Sequence, residues 1–142
     1  MGLGHVSPGS LSPQCQSDEL SRRQHRGARA LSAALTDRLD LARFGESIAA
    51  RFLRRRGLTI AHRNHRVGRG EIDIIATDGK RRVAVEVKTR RRGAVDPVES
   101  FTPAKAKQVR QLAGQLGIGR VDVVAVTVGS QFVEVRWLPQ IA

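Results

Sequence analysis

The stretch from residue 70 to residue 90 decides the fold and reads GEIDIIATDGKRRVAVEVKTR. Two apolar runs flank the pair Asp78-Gly79. An Asp-Gly pair between alternating apolar runs is a strong signal for a β-hairpin with a two-residue turn. With Asp78 and Gly79 as the turn residues, we predict that Thr77 faces Lys80.

This register assigns the hairpin side chains to two faces, because alternate residues of a strand point to opposite sides of the sheet. Ile74 is predicted to face Val83, and Ile72 to face Val85. These four side chains then form one apolar face that can pack on a core.

The opposite face of the predicted hairpin is polar. Asp73 faces Ala84, lies diagonal to Glu86 and shares its face with Lys88. Like charges side by side on a sheet are destabilising unless a cation offsets them. Mg²⁺ takes one or two carboxylates together with water and phosphate oxygens, and a nearby lysine stabilises negative charge on a phosphate. The pattern therefore indicates a phosphodiester-cleaving site that uses Mg²⁺ or Mn²⁺. The charged solvent face of an amphipathic hairpin is the alternative.

The composition favours a nucleic-acid partner. The 142 residues suffice for one domain with a sizeable core. They carry a formal net charge of +12, with a pI of about 11.6. Residues 1–37 contain four arginines and three acids, so +11 of this charge belongs to residues 38–142. Such a basic domain is typical of proteins that bind polyanions. A soluble protein from an arginine-rich proteome is the alternative.

The first part of the chain predicts a disordered tail over residues 1–36, followed by a folded domain over residues 37–142. Gly, Ser, Pro and Gln dominate from Gly2 to Ser17, and apolar periodicity is absent before Leu31. The single cysteine, Cys15, cannot form an internal disulfide and fits a reducing cytoplasm. We expect a cytoplasmic protein with no membrane partner, because no segment has the length of a membrane span.

The remaining patterns predict the element order α-β-β-β-α-β-β. Helical spacing begins at about Asp37, and Gly57 is placed to end this first helix. Thr102 is predicted to cap a second helix. The apolar, β-branched run from Val121 to Val128 is typical of a strand covered on both faces.

Charged residues outside the hairpin supply further candidates. Glu46 lies at the border of the apolar arc of the first helix, where a carboxylate can reach into a crevice; a plain surface acid is the alternative. Basic residues around the hairpin and on the second helix are expected to contact nucleic-acid phosphates: Arg66, Arg69, Arg90, Arg91, Arg92 and Lys105.

An ordered set of motifs accompanies these residues and covers roughly residues 38–137. The motifs are Gly45-Glu46, Arg63-Asn64-His65-Arg66, 70–76, 85–90, Pro97-x-Glu99, Lys105 and Asp122-Val123-Val124. Together they resemble the bacterial YraN family, an uncharacterised group within the PD-(D/E)XK nuclease-like superfamily. The motif Arg120-Val121-Asp122 departs from the Arg-Phe-Asp usual in that family.

The resemblance implies an α/β fold with a restriction-endonuclease-like core, a mixed β-sheet flanked by helices, akin to archaeal Holliday-junction resolvases. It implies Glu46, Asp73, Glu86 and Lys88 as catalytic residues, with Asp73, Glu86 and Glu46 as ligands of Mg²⁺ or Mn²⁺. The expected activity is endonucleolytic hydrolysis of DNA, including branched DNA. A non-catalytic nucleic-acid-binding or scaffold protein is the alternative, and both a homodimer and a subunit that works only with a partner stay open.

Overall fold

The computed structural model of the protein describes residues 38–141. The predicted disordered tail over residues 1–36 lies outside this part of the chain, so its prediction is not tested. Within residues 38–141, two helices and five strands follow the predicted order α-β-β-β-α-β-β, which is therefore confirmed. Their bounds are α1 Arg38–Arg55, β1 Thr59–Val67, β2 Gly70–Thr77, β3 Arg82–Arg91, α2 Pro103–Gln115, β4 Val121–Val128 and β5 Val133–Leu138.

The five strands form one mixed sheet in the order β1-β2-β3-β4-β5. Neighbouring strands are antiparallel except for β3 and β4, which run parallel. A parallel pair needs a crossover, and α2 provides it. The mixed α/β sheet flanked by helices is therefore the fold of this chain.

Each face of the sheet carries one helix and one core. On one face, α1 packs Ala49 and Leu53 against β-branched residues of the central strands, including Val85. On the other face, α2 packs Val109 and Leu112 against the sheet. Strand β4 is buried along nearly its whole length, as the apolar run predicted.

Local signals position both helices as the sequence predicts. The Thr102 side chain accepts a hydrogen bond from the backbone N–H of Lys105, and Pro103 occupies the first turn of α2. Gly57, just past the end of α1, has a φ of +90°, a conformation that glycine adopts without steric cost.

The hairpin between β2 and β3 forms, but its turn lies one residue further along than predicted. The backbone N–H of Asp78 donates to the carbonyl of Arg81 at 3.1 Å, so Gly79 and Lys80 are the central turn residues. Gly79 has a φ of +94°. A two-residue turn with a positive-φ glycine at its first central position is one of the two turn types favoured in hairpins. The Asp78 carboxylate then accepts hydrogen bonds from the backbone N–H groups of Lys80 and Arg81.

The predicted register is consequently wrong by two residues. Ile74 pairs with Val85 rather than with Val83. A shift of two residues does not by itself move a side chain to the other face, because the side-chain period of a strand is two. Continuing this register would place Asp73 directly opposite Glu86.

The pairing of β2 with β3 ends at Ile74 and Val85, however. Beyond this pair β2 is paired with β1 and no longer with β3, and the two faces no longer alternate as predicted. Ile72 packs in the core under α2, whereas Ile74 packs in the core under α1. The two strands therefore part at Asp73. Two carboxylates directly opposite each other would have been destabilising there.

Strand β3 includes two of the arginines that were predicted to contact nucleic-acid phosphates. Arg90 and Arg91 are its last two residues and pair with Thr127 and Val128 of β4. The basic side chains at this end of β3 are therefore held by a sheet rather than by a loop.

A glycine in α1 sets the distance between this helix and β3. A Cβ atom built on Gly45 would lie 1.8 Å from Oγ1 of Thr89. We expect Gly45→Ala to lower the free energy of unfolding by about 1–3 kcal/mol, because a well-packed contact cannot absorb an extra methyl group without shifting. The same shift would move the neighbouring residue Glu46.

Gly114 provides the matched control in α2. A Cβ atom there would meet nothing within 4 Å. Gly114→Ala should therefore raise the free energy of unfolding by about 0.5–1 kcal/mol through helix propensity. Chemical denaturation of both variants tests the pair, and equal effects of the two substitutions would contradict the close contact at Gly45.

Candidate active site

The centre of the site is Asp73, at the point where β2 and β3 part. Its Oδ2 atom accepts a hydrogen bond of 2.8 Å from the backbone N–H of Val87. The carboxylate thus uses a donor of β3 that the interrupted β2–β3 pairing leaves available. This bond fixes Asp73 beside Glu86, the residue before Val87.

The pKa of Asp73 is raised from its ordinary value of 3.8 to about 7, chiefly by burial and next by the negative charge of Glu86. The hydrogen bond from Val87 and the positive charge of Lys105 act in the opposite direction. Such a raised pKa means that the surroundings stabilise the ionised carboxylate poorly. A bound cation would stabilise it.

Glu86 is buried, with 4% of its surface exposed. Its Oε1 atom lies 3.0 Å from Nζ of Lys88 and 3.5 Å from Nζ of Lys105. Lys88 comes from the same strand, two residues on, and Lys105 comes from the first turn of α2. Two ammonium groups therefore compensate the charge of one buried carboxylate.

Glu46 reaches the site from α1 and is half-buried. Its carboxylate accepts a hydrogen bond from the side chain of Asn64 in β1. Burial raises the pKa of Glu46, and the negative charges of Glu71 and Glu86 add to this rise. The Asn64 hydrogen bond and the positive charge of Arg63 lower it.

The backbone of Asn64 helps to place its side chain. Its neighbours Arg63 and His65 pair with Ile74 and Ile72, which puts Asn64 across from Asp73. Asn64 has a φ of +50°, a left-handed conformation that asparagine tolerates better than most residues. Asn64 thus belongs to the site, although the sequence analysis assigned it no role.

An open cleft of about 570 Å³ joins these groups. One wall is the first half of α1, and the other is the second half of β3 with the loop that follows it. The cleft contains all four residues that the sequence analysis proposed as catalytic. Its lining residues are Arg38, Leu41, Ala42, Glu46, Asp73, Glu86, Val87, Lys88, Thr89, Arg90, Arg91 and Ala94.

The donor set suits a hard divalent cation that keeps part of its hydration shell. No three His, Cys, Asp or Glu side chains among residues 38–141 converge into a ready-made metal cage. Mg²⁺ does not require one, because it commonly binds one or two carboxylates and completes its octahedron with water and phosphate. Asp73 and Glu86 fit the two carboxylates, and Glu46 fits a contact through water.

The six residues predicted to contact phosphates lie in four different places. Arg90 and Arg91 line the cleft. Arg66 and Arg69 are exposed near the β1–β2 turn, outside the cleft lining. Arg92 stacks on the ring of Phe132, with 4.9 Å between its guanidinium carbon and the ring centroid. The sixth residue of the predicted set, Lys105, forms an ion pair with the carboxylate of Glu86.

Residues 45–126 match a family of sequences described as uncharacterised protein family UPF0102. The chain belongs to this family. The family resemblance found in the sequence is thereby confirmed. The matched segment contains Glu46, Asp73, Glu86, Lys88 and Lys105.

Two family members illustrate the extent of the similarity. A UPF0102 protein of Acidothermus cellulolyticus is 49% identical over 84 residues, which are 58% of this chain and 64% of that protein. A UPF0102 protein of Anaeromyxobacter dehalogenans is 40% identical over 111 residues, 72% of this chain and 83% of that protein. The chain thus spans just under two thirds of the length of the first of these relatives.

Among solved structures, the chain is similar to Hjc of Archaeoglobus fulgidus, a Holliday junction resolvase. The sequence identity is 21%, the TM-score is 0.46, and the match covers 68% of this chain and 73% of that one.

Neither helix between residues 38 and 141 is both long and apolar enough to cross a membrane.

The raised pKa of Asp73 predicts a pH-dependent stability. Folded Asp73 keeps its proton up to about pH 7, whereas the unfolded side chain loses it near 3.8. The folded state therefore binds more protons between these values, and the free energy of unfolding should fall as the pH rises through this window, by a few kcal/mol at most. Glu46 acts in the same direction.

Thermal melts in EDTA between about pH 5 and about pH 8 measure this loss of stability. Asp78 and Asp96 do not interfere, because their lowered pKa values cost stability only as the pH falls below the ordinary value of 3.8. Adding Mg²⁺ should stabilise the protein more at the higher pH, where its ligands are ionised. An equal Mg²⁺ effect at both pH values would contradict binding at Asp73.

Proposed function

We propose that the protein is a metal-dependent endonuclease that hydrolyses phosphodiester bonds in DNA. One observation carries this proposal: Asp73, Glu86 and Lys88 line the same open cleft, at the point where β2 and β3 part. Asp73 and Glu86 would hold Mg²⁺ or Mn²⁺ directly, and Glu46 would hold it through a water molecule. Bound there, the ion would supply Lewis acidity toward water and a phosphoryl oxygen.

The two ligands are held by different means, which keeps both in place before the ion arrives. The backbone N–H of Val87 orients Asp73, and the two lysines orient Glu86. Ligands that are fixed in advance lose little conformational entropy on binding and hold a reacting phosphate in a defined position.

Lys88 would act on the reacting phosphate. Its ammonium group is mostly buried beside Glu86, with 18% of the side chain exposed, and it lines the cleft. A cation in such a position stabilises the negative charge that grows on the phosphate in the transition state. It can also orient the attacking water.

The charge of the folded domain supports a nucleic-acid substrate. Arg90 and Arg91 line the same cleft as the carboxylates, and the domain carries most of the net charge of +12. Contacts to phosphates provide most of the sequence-independent affinity for DNA and position the duplex without reading its bases.

The decisive experiment is a cleavage panel with purified protein. Linear duplex, single-stranded, flapped and four-way DNA substrates, each with an RNA counterpart, are incubated with Mg²⁺, Mn²⁺ or EDTA. We expect cutting of DNA with either metal and none with EDTA. In parallel, DNA affinity should fall with salt with a log–log slope of about −0.9 per phosphate neutralised. Absence of cutting on every substrate with both metals would remove the proposal.

A non-catalytic nucleic-acid-binding protein is the second candidate, because one specific observation favours it. Glu86 forms ion pairs with two ammonium groups of the protein itself, those of Lys88 and Lys105. A protein that retains only the fold could use such a closed network for stability alone. Tight, salt-dependent DNA binding without cleavage would identify this second candidate.

A further inference from the structure

Lys105 occupies a position that the helix itself disfavours. It is the third residue of α2, and the first turn of this helix contains no acidic residue. The N-terminus of a helix carries a partial positive charge, so a cation in the first turn is destabilising. A partner outside the helix must offset this cost.

This partner is the carboxylate of Glu86, with Asp73 close by. Nζ of Lys105 lies 3.5 Å from Oε1 of Glu86, and its positive charge lowers the pKa of Asp73. Thr102 and Pro103 fix the start of α2 and therefore the place from which the lysine reaches out. The favourable interaction of Lys105 is therefore with the carboxylates of the site and not with its own helix.

The two lysines on Glu86 are not equivalent. Both contact the same oxygen atom, Lys88 at 3.0 Å and Lys105 at 3.5 Å. The Lys105 side chain is 29% exposed, against 18% for Lys88. A divalent cation on Asp73 and Glu86 would repel both ammonium groups, and the longer, more exposed contact costs less to break.

We propose that Lys105 is a phosphate-binding residue of the cleft, held on Glu86 until a divalent cation takes that carboxylate. The proposal rests on the proposed function and adds a residue to it. Released from Glu86, the ammonium group would be available to bind a non-bridging oxygen of a DNA phosphate that enters the cleft. Lys88 stays on Glu86.

Two measurements with opposite expected signs test this role. In the absence of DNA, K105Q should bind Mn²⁺ more tightly than wild type, on the order of tenfold, because a competing cation is gone. At saturating Mn²⁺, K105Q should cleave DNA about 10–100-fold more slowly, because a contact to the reacting phosphate is gone.

Lys107 supplies the matched control, since it is exposed on the same helix two residues further on. K107Q should match wild type in both measurements, and K105R should keep the weaker Mn²⁺ affinity and part of the cleavage rate. Thermal melts establish that all variants are folded. A residue with a purely structural role would not tighten Mn²⁺ binding and slow cleavage together.

The outcomes separate this inference from the proposed function. If wild type cuts DNA with Mn²⁺ and K105Q equals K107Q in Mn²⁺ affinity or in rate, the role of Lys105 is wrong and the endonuclease proposal stands. If wild type neither binds Mn²⁺ nor cuts, both are wrong.

Discussion

Asp73→Asn should abolish cleavage and at the same time stabilise the protein above pH 7. The substitution removes a negatively charged metal ligand, and the expected loss of rate is roughly 10²–10⁴-fold. An asparagine oxygen can still accept the hydrogen bond that Val87 donates to the aspartate at 2.8 Å. The local structure therefore survives the change.

The gain in stability follows from the raised pKa of Asp73. Ionising this carboxyl group beside Glu86 costs free energy in the folded state, because its pKa lies near 7 rather than at 3.8. Asparagine avoids that cost at every pH. Loss of activity together with a gain in stability is typical of a functional residue that a protein retains against its own stability. A residue kept for structure would show the reverse.

Glu86→Gln and Lys88→Gln complete the test of the site. Both should lose cleavage, whereas DNA affinity should hold for Lys88→Gln and hold or improve for Glu86→Gln, which removes negative charge from a surface that receives phosphates. Glu134→Gln is the matched control, because Glu134 is an exposed acid on β5. Cleavage rates, DNA affinities and melting temperatures are measured for these three variants and for wild type. Variants of the cleft that cut as fast as Glu134→Gln would refute the catalytic assignment.

The sequence predicted the order of the elements correctly, because each carries strong local signals. Thr102 and Gly57 mark helix ends, and the run from Val121 to Val128 marks a buried strand. The hairpin turn was harder, since the segment Asp78-Gly79-Lys80 permits two favoured two-residue turns that both use Gly79. The predicted turn was the wrong one of the two, and the resulting shift of two residues changed the pairing partners without changing the faces of the paired residues, as far as Ile74 and Val85.

The parting of β2 and β3 could not be predicted from periodicity. Where a ladder ends depends on competition between backbone pairing and side-chain interactions across two strands. Here the side chain of Asp73, and not a backbone carbonyl of β2, accepts a hydrogen bond from the backbone N–H of Val87. The roles of Asn64 and Lys105 depend on tertiary contacts in the same way, although an asparagine within a strand and a lysine in the first turn of a helix are each locally unfavourable.

Asp122 is a buried charged residue to which the sequence motifs assigned no role. It lies in the almost continuously apolar run of β4 and is completely buried. Its two carboxylate oxygens accept hydrogen bonds from Nε and a terminal nitrogen of Arg120, from Nε1 of Trp137 and from the backbone N–H of Gln140. A buried charge in a strand needs such partners, so its presence in the sequence already indicated a network.

Asp122→Ala should lower the free energy of unfolding by about 3–5 kcal/mol, because it leaves the guanidinium of Arg120 without its buried partner and frees the donors of Trp137 and Gln140. Strand β5 and the residues after it should lose their attachment to β4 first. Urea denaturation measures the free energy, and hydrogen exchange at Val135 and its neighbours measures the local loss.

Asp96→Ala is the control for this prediction. Asp96 also bonds to an arginine, with 2.6 Å to Arg136, but both side chains are 41% exposed. An ion pair in water contributes little to stability, whereas a buried carboxylate with four donors cannot be removed without leaving those donors unpaired. Asp122→Ala should therefore be far more destabilising than Asp96→Ala, and the cleavage rate per folded molecule should be unchanged in both. Similar losses of stability in the two variants would mean that the Asp122 network is accessible to water and does not hold β5 to the sheet.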